Sequence, residues 1–94
     1  MAEKFIIIVK PEAQKDIQAH KKSGNKAAYK KIEKILMELQ KSPYTGSGAP
    51  EKLKHELSGY WSRRINRKDR LVYAVHENTV TVTVVSAMGH YHDK

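Results

Sequence analysis

The sequence predicts an α+β fold in the order β-α-α-β-β-β: a twisted, mainly antiparallel sheet with two helices on one face. Three observations lead there. A short β-branched run near the N-terminus precedes two stretches of helical apolar periodicity. Three runs with two-residue alternation close the chain. One long irregular segment, rich in glycine and proline, separates the halves. Ninety-four residues suit one domain, 1–94, because two halves of this length would each bury too little surface.

KFIIIV (4–9) reads as a short buried strand. Pro11 then stands where the first turn of a helix tolerates a missing N–H. A helix over roughly 11–22 follows, with Ala13, Ile17 and His20 inward, and Ser23-Gly24 breaks it. Asn25 is suited to cap the next helix. That helix has the strongest pattern in the chain: Ala28, Ile32, Ile35, Leu36 and Leu39 recur on one face. Lys26, Lys30, Lys31, Lys34 and Lys41 line the other, and Pro43 forces the stop. The irregular segment spans 43–59. After it come YWSRRI (60–65), RLVYAVH (70–76) and TVTVTVVS (79–86), joined by turns at 66–69 and at Glu77-Asn78. In the second strand Leu71, Tyr73 and Val75 share one face, and Arg70, Val72, Ala74 and His76 the other. In the third, Val80, Val82 and Val84 point inward.

Eighteen Lys+Arg against ten Asp+Glu leave a formal charge of +8. Such an excess on a small surface favours polyanions or an acidic partner, although charge for solubility alone would look the same. The absence of cysteine removes disulfides and thiolate metal sites. Phe5–Val9 is too short an apolar run for a signal segment or a membrane span, so we expect a cytoplasmic protein with no membrane partner. Of the His residues only His90-x-His92, with Asp93 beside it, has metal-like spacing, and we expect no metal and no cofactor.

All four arginines lie in WSRRINRKDR (61–70). Arg63 and Arg64 face opposite sides of their strand, and the turn at 66–69 should bring Arg64 beside Arg70 on the face away from the helices. Lysine is a mobile point charge, whereas arginine presents a planar fork that grips phosphate bidentately. The arginines therefore mark a place where a phosphate is held in one orientation, with solvated charge as the plain alternative. Glu51 ends the glycine-rich loop among Lys52 and Lys54 and alone reads as a surface carboxylate. His90-Tyr91 supplies a proton shuttle near the last strand. His55 and His92 lie near these candidates. His20 and His76 read as structural or surface groups, and Tyr60 and Trp61 as packing.

PEKLKHELSGYWSRRINRKDRLVYAV (50–75), SAMGHY (86–91) and the loop SPYTGSG (42–48) resemble the YoeB/Txe branch of the RelE-type toxins of bacterial toxin–antitoxin systems. The resemblance implies a microbial-RNase-like α+β fold and ribosome-dependent cleavage of messenger RNA without a metal. It implies Glu51 as general base, Arg70 as the transition-state arginine, and His90 as general acid with Tyr91 beside it. Lys54 and Arg64 would assist at the phosphate, and Arg63 and His55 of the same motif are grouped with them. The implied partners are the ribosome and mRNA, and an acidic antitoxin of the YefM/Axe kind through which alone operator DNA is met. Two features depart from the branch: Met88-Gly89 replace a basic or aromatic residue before His90, with His92-Asp93-Lys94 following Tyr91, and the turn Asn66–Asp69 is unusually basic. The alternative is a non-catalytic basic module that binds RNA or antitoxin in operon autorepression. Glu51 discriminates, since a carboxylate beside arginines serves an acid–base reaction and hinders a phosphate binder.

Overall fold

The computed structural model describes residues 4–54 and 58–89. Its elements are β1 (Ile6–Val9), α1 (Pro11–Lys22), α2 (Lys26–Lys41), β2 (Glu51–Lys52), β3 (Tyr60–Arg64), β4 (Arg70–His76) and β5 (Thr81–Ser86). The strands form one mixed sheet in the order β1-β5-β4-β3-β2, with β1 parallel to β5 and every other pair antiparallel. The α+β class holds, with both helices against one face of the sheet.

Local chemistry explains the helices. Pro11 occupies the first turn of α1 with Glu12, while His20, Lys21 and Lys22 occupy the last, which suits the helix dipole at both ends. The Asn25 side chain accepts the Ala28 N–H at 3.1 Å and caps α2. Ala28, Ile32, Ile35 and Leu39 of α2 are buried, as is Ala13 of α1. They meet Leu71, Tyr73, Val82 and Val84, which the two-residue alternation of β4 and β5 puts on the same side. Among the described residues no helix is long and apolar enough to cross a membrane.

Three expectations needed correction. The first strand is buried on one face only: Ile6 and Ile8 are 63% and 49% exposed. β1 is an edge strand, and the helices cover just the side of Ile7 and Val9. The segment 43–59 is not wholly irregular, because Glu51 and Lys52 pair with Ser62 and Trp61 as β2. The β4–β5 link is longer than a two-residue turn. Glu77–Thr79 form a 3₁₀ turn, and Val80 adopts a left-handed conformation, φ 49°. The carbonyl of Val80 accepts the Ile6 N–H at 2.9 Å, so β1 decides where β5 begins.

Candidate active site

β-Sheet register assembles the site. Glu51 of β2 stands opposite Ser62 of β3, and Arg64 of β3 stands opposite Arg70 of β4. Ser62 and Arg64 are two residues apart, so all four side chains project from the face opposite the helices. The Arg70 guanidinium donates from Nη1 to Glu51 Oε1 at 3.5 Å and to Ser62 Oγ at 3.3 Å. The Arg70 side chain is 18% exposed and that of Glu51 55% exposed, so the pair is open to a ligand. Arg64 is exposed beside it. A carboxylate in contact with one guanidinium, and a second arginine opposite that guanidinium in register, thus share one sheet face, chemistry of the kind a phosphodiester could engage.

The other predicted residues fare differently. Lys54 is exposed two residues past β2. Arg63, grouped with the phosphate-binding residues, lies fully buried on the helix side. Its Nε donates to Tyr73 Oη at 3.1 Å and its Nη1 to Glu38 Oε1 at 2.9 Å and Ser47 O at 3.5 Å. Its Nη2 donates to Ser42 O and Thr45 O, both at 2.9 Å. Five N–H groups meet five acceptors, which leaves no donor for a phosphate. The reason is positional: alternation sends one of two adjacent arginines inward, and a buried guanidinium needs every donor paired. His55, His90 and Tyr91 lie outside the described residues.

This arginine network shapes the loop that carries Glu51. Glu38 accepts the Ser47 N–H and hydroxyl, each at 2.7 Å. Burial would raise the Glu38 carboxyl, but the Ser47 bonds and the Arg63 charge outweigh it and hold it below the usual carboxylate range. Tyr73 donates to Pro43 O at 2.7 Å, and burial pushes its phenol up despite Arg63. Gly48 accepts the Arg64 N–H at 2.7 Å, and a Cβ there would stand 2.7 Å from Arg64 O. The loop can therefore reach β3 only with glycine at 48, and Pro50 then delivers Glu51 into register. Trp61 faces the helix side, its ring 5.2 Å from that of Tyr44.

Sequence reading missed three contributors. Ser62 is completely buried and donates no motif of its own. Glu38 looks like any helix carboxylate until the loop folds over it. Asp69, just before Arg70, is 4% exposed and accepts the Gly89 N–H at 2.9 Å through Oδ1. Asn66 three residues earlier was a usable signal, since its Oδ1 accepts the Lys68 and Asp69 N–H groups and orders the turn. The segment before residue 90 is held at further points. Ala87 donates its N–H to Asp16 Oδ2 at 3.0 Å, and its carbonyl lies 2.8 Å from His20 Nε2. Arg70 donates its own N–H to Gly89 O at 3.0 Å.

Residues 9–91 match a family model described as the YoeB-like toxin of bacterial type II toxin–antitoxin systems. A toxin YoeB of Escherichia coli O6:H1 is 47% identical over 58 residues, which cover 62% of this chain and 69% of that protein. A YoeB/ParE toxin from Agrobacterium tumefaciens superposes with a TM-score of 0.84 at 28% identity, covering 93% of this chain and 100% of the other. The toxin in a heterotetrameric YoeB–YefM toxin–antitoxin complex from Staphylococcus aureus superposes with a TM-score of 0.76 at 36% identity, covering 93% and 98% of the two chains.

Proposed function

This chain belongs to the YoeB-like toxins of bacterial type II toxin–antitoxin systems, and on that footing we propose that it is a ribosome-dependent mRNA endoribonuclease acting in the cytoplasm without a metal. One observation carries the reading: the Arg70 guanidinium lies 3.5 Å from the Glu51 carboxylate, with Arg64 opposite Arg70 in register. A base and two cations within reach of one phosphate fit internal transesterification of RNA.

The reaction begins when the 2′-hydroxyl attacks its neighbouring phosphorus. Glu51 takes the hydroxyl proton. Arg70 and Arg64, assisted by Lys54, stabilise the charge growing on the phosphoryl oxygens, the kind of contribution that dominates such steps. Because Arg70 contacts Glu51 at rest, an arriving phosphate competes with the carboxylate for the guanidinium. His90 protonates the departing 5′-oxygen, with Tyr91 beside it. The P–O5′ bond breaks, giving a 2′,3′-cyclic phosphate and a 5′-hydroxyl. The arginines supply the charge compensation that a metal would otherwise bring.

The proposed partners follow. An acidic antitoxin of the YefM kind suits the +8 surface, and a YoeB relative is seen bound to YefM. Operator DNA would be met only through that complex. The test is purified protein with translating ribosomes in EDTA. Cleaved message with 5′-hydroxyl ends is expected, and Glu51→Ala, Arg70→Ala and His90→Ala should each slow cleavage by at least about 100-fold while folding normally. Wild-type protein that binds antitoxin but leaves the message intact would overturn the enzymatic reading in favour of a binding module.

A further inference from the structure

We propose that Asp69, together with Asp16 and His20, forms a clamp on Ala87–Gly89 that fixes the backbone leading into the His90-Tyr91 pair, which makes Asp69 a positioning residue for the reaction. The proposal rests on the ribonuclease reading above.

Four hydrogen bonds hold two residues, Ala87 and Gly89. Both backbone groups of Ala87 are held from α1, the N–H by Asp16 at 3.0 Å and the carbonyl by His20 at 2.8 Å. Because that partner is a carbonyl, His20 Nε2 carries the hydrogen. Both backbone groups of Gly89 are held from the start of β4, the N–H by Asp69 at 2.9 Å and the carbonyl by the Arg70 N–H at 3.0 Å. Gly89 has φ +76°, a conformation that side chains of L-residues resist, so the chain leaves the clamp in a set direction. The residue whose guanidinium faces Glu51 therefore also anchors the backbone leading to His90.

The hairpin itself does not call for a buried carboxylate. Asn66 Oδ1 closes the turn by accepting the Lys68 and Asp69 N–H groups, and Asp69 O accepts the Ile65 N–H at 2.9 Å. Asp69 enters these bonds through its backbone, while its side chain, at a position 4% exposed, accepts the Gly89 N–H. Burial would raise this carboxyl, but the Gly89 N–H, the Asn66 side chain and the charges of His20 and Lys68 outweigh it and hold it below the usual range. The bond to Gly89 is thus charge-assisted, the stronger kind. His20, read from sequence as structural or surface, acquires a task as the second jaw of the clamp.

The test uses the full chain on translating ribosomes, with Asp69→Ala and Asp69→Asn measured alone and the alanine variant also combined with His90→Ala. Misplacing a reacting group by about 1 Å can cost up to ~100-fold, so Asp69→Ala should lower kcat about tenfold or more with KM little changed. Asp69→Asn keeps an acceptor for the Gly89 N–H and should restore most of the rate. The double variant should be no slower than His90→Ala, because the clamp acts through residue 90. Ile32→Val, a core change that removes none of the clamp's hydrogen bonds, serves as a stability control with kcat unchanged. If Asp69→Ala does not fold, Asp16→Ala removes the other anchored end and should lower kcat several-fold. Wild-type kcat in the folded Asp69 and Asp16 variants overturns the clamp, as does an equal loss with and without His90. A wild-type chain that does not cleave, or a His90→Ala chain that cleaves normally, overturns the ribonuclease reading and the clamp with it.

Discussion

Arg63 and Arg64 are neighbours in the chain with opposite fates. Arg63 is buried with all five donors engaged, and Arg64 is exposed opposite Arg70. Arg63→Ala would leave Glu38 without its ion-pair partner and strip the loop carbonyls of their donors. Breaking a buried pair typically costs about 3–5 kcal/mol, and we expect a loss of that order in chemical denaturation. Arg64→Ala removes an exposed group and should change stability by less than about 0.5 kcal/mol, while slowing message cleavage. Comparing denaturation midpoints with cleavage rates for the two variants separates the structural arginine from the functional one. Glu51→Gln preserves shape and removes the base, so cleavage should fall by roughly 10²–10⁴-fold with the denaturation midpoint unmoved.

At the scale of elements, the loop between α2 and β2 is the part whose stability depends on polar groups. Arg63 serves as its core, binding carbonyls of Ser42, Thr45 and Ser47. Gly48→Ala would press a Cβ against Arg64 O at 2.7 Å in a positive-φ conformation. Strain of this kind costs about 1–3 kcal/mol, and it should displace Glu51, so both thermal stability and cleavage should drop. Glu38 adds a pH signature. Its folded pKa lies below the ordinary 4.5, so its stabilising contribution is complete above about pH 4.5 and is lost as pH falls through the folded value. Urea unfolding between about pH 3 and 7 should show a decline on the acid side. Glu38→Gln should be less stable near neutrality and show a shallower decline. An unchanged slope would mean that the carboxylate does not sense folding.

For the whole molecule, the exposed Lys26, Lys30, Lys34 and Lys41 of α2 and the net charge of +8 set a long-range field, while register sets the short-range site. Binding of a single-stranded RNA made non-cleavable by 2′-deoxy substitution should weaken log-linearly with salt. Each phosphate contact to a single strand contributes a slope of about 0.7. Arg64→Ala should therefore flatten the plot by about that amount, as measured by fluorescence anisotropy at several ionic strengths. An unaltered slope would remove Arg64 from the phosphate contacts.

The periodicities of α1, α2, β4 and β5 were legible because each element buries one face, and burial writes a repeat into the sequence. The two-residue strand β2 was not legible, since two residues carry no period; only pairing with Ser62 and Trp61 makes it a strand. Ile6 and Ile8 misled because a β-branched run looks the same in the middle of a sheet and at its edge. Likewise the sequence by itself determined the order of the two helices and the four longer strands, the family and the concentration of all four arginines in 61–70, because these depend on local pattern and on residue identity. Only the tertiary structure decided that Arg63 spends all its donors inside the fold, that β1 runs parallel to β5, and that Asp16, His20, Asp69 and Arg70 grip Ala87–Gly89. Those outcomes depend on contacts between segments far apart in the chain, whose partners no local pattern specifies.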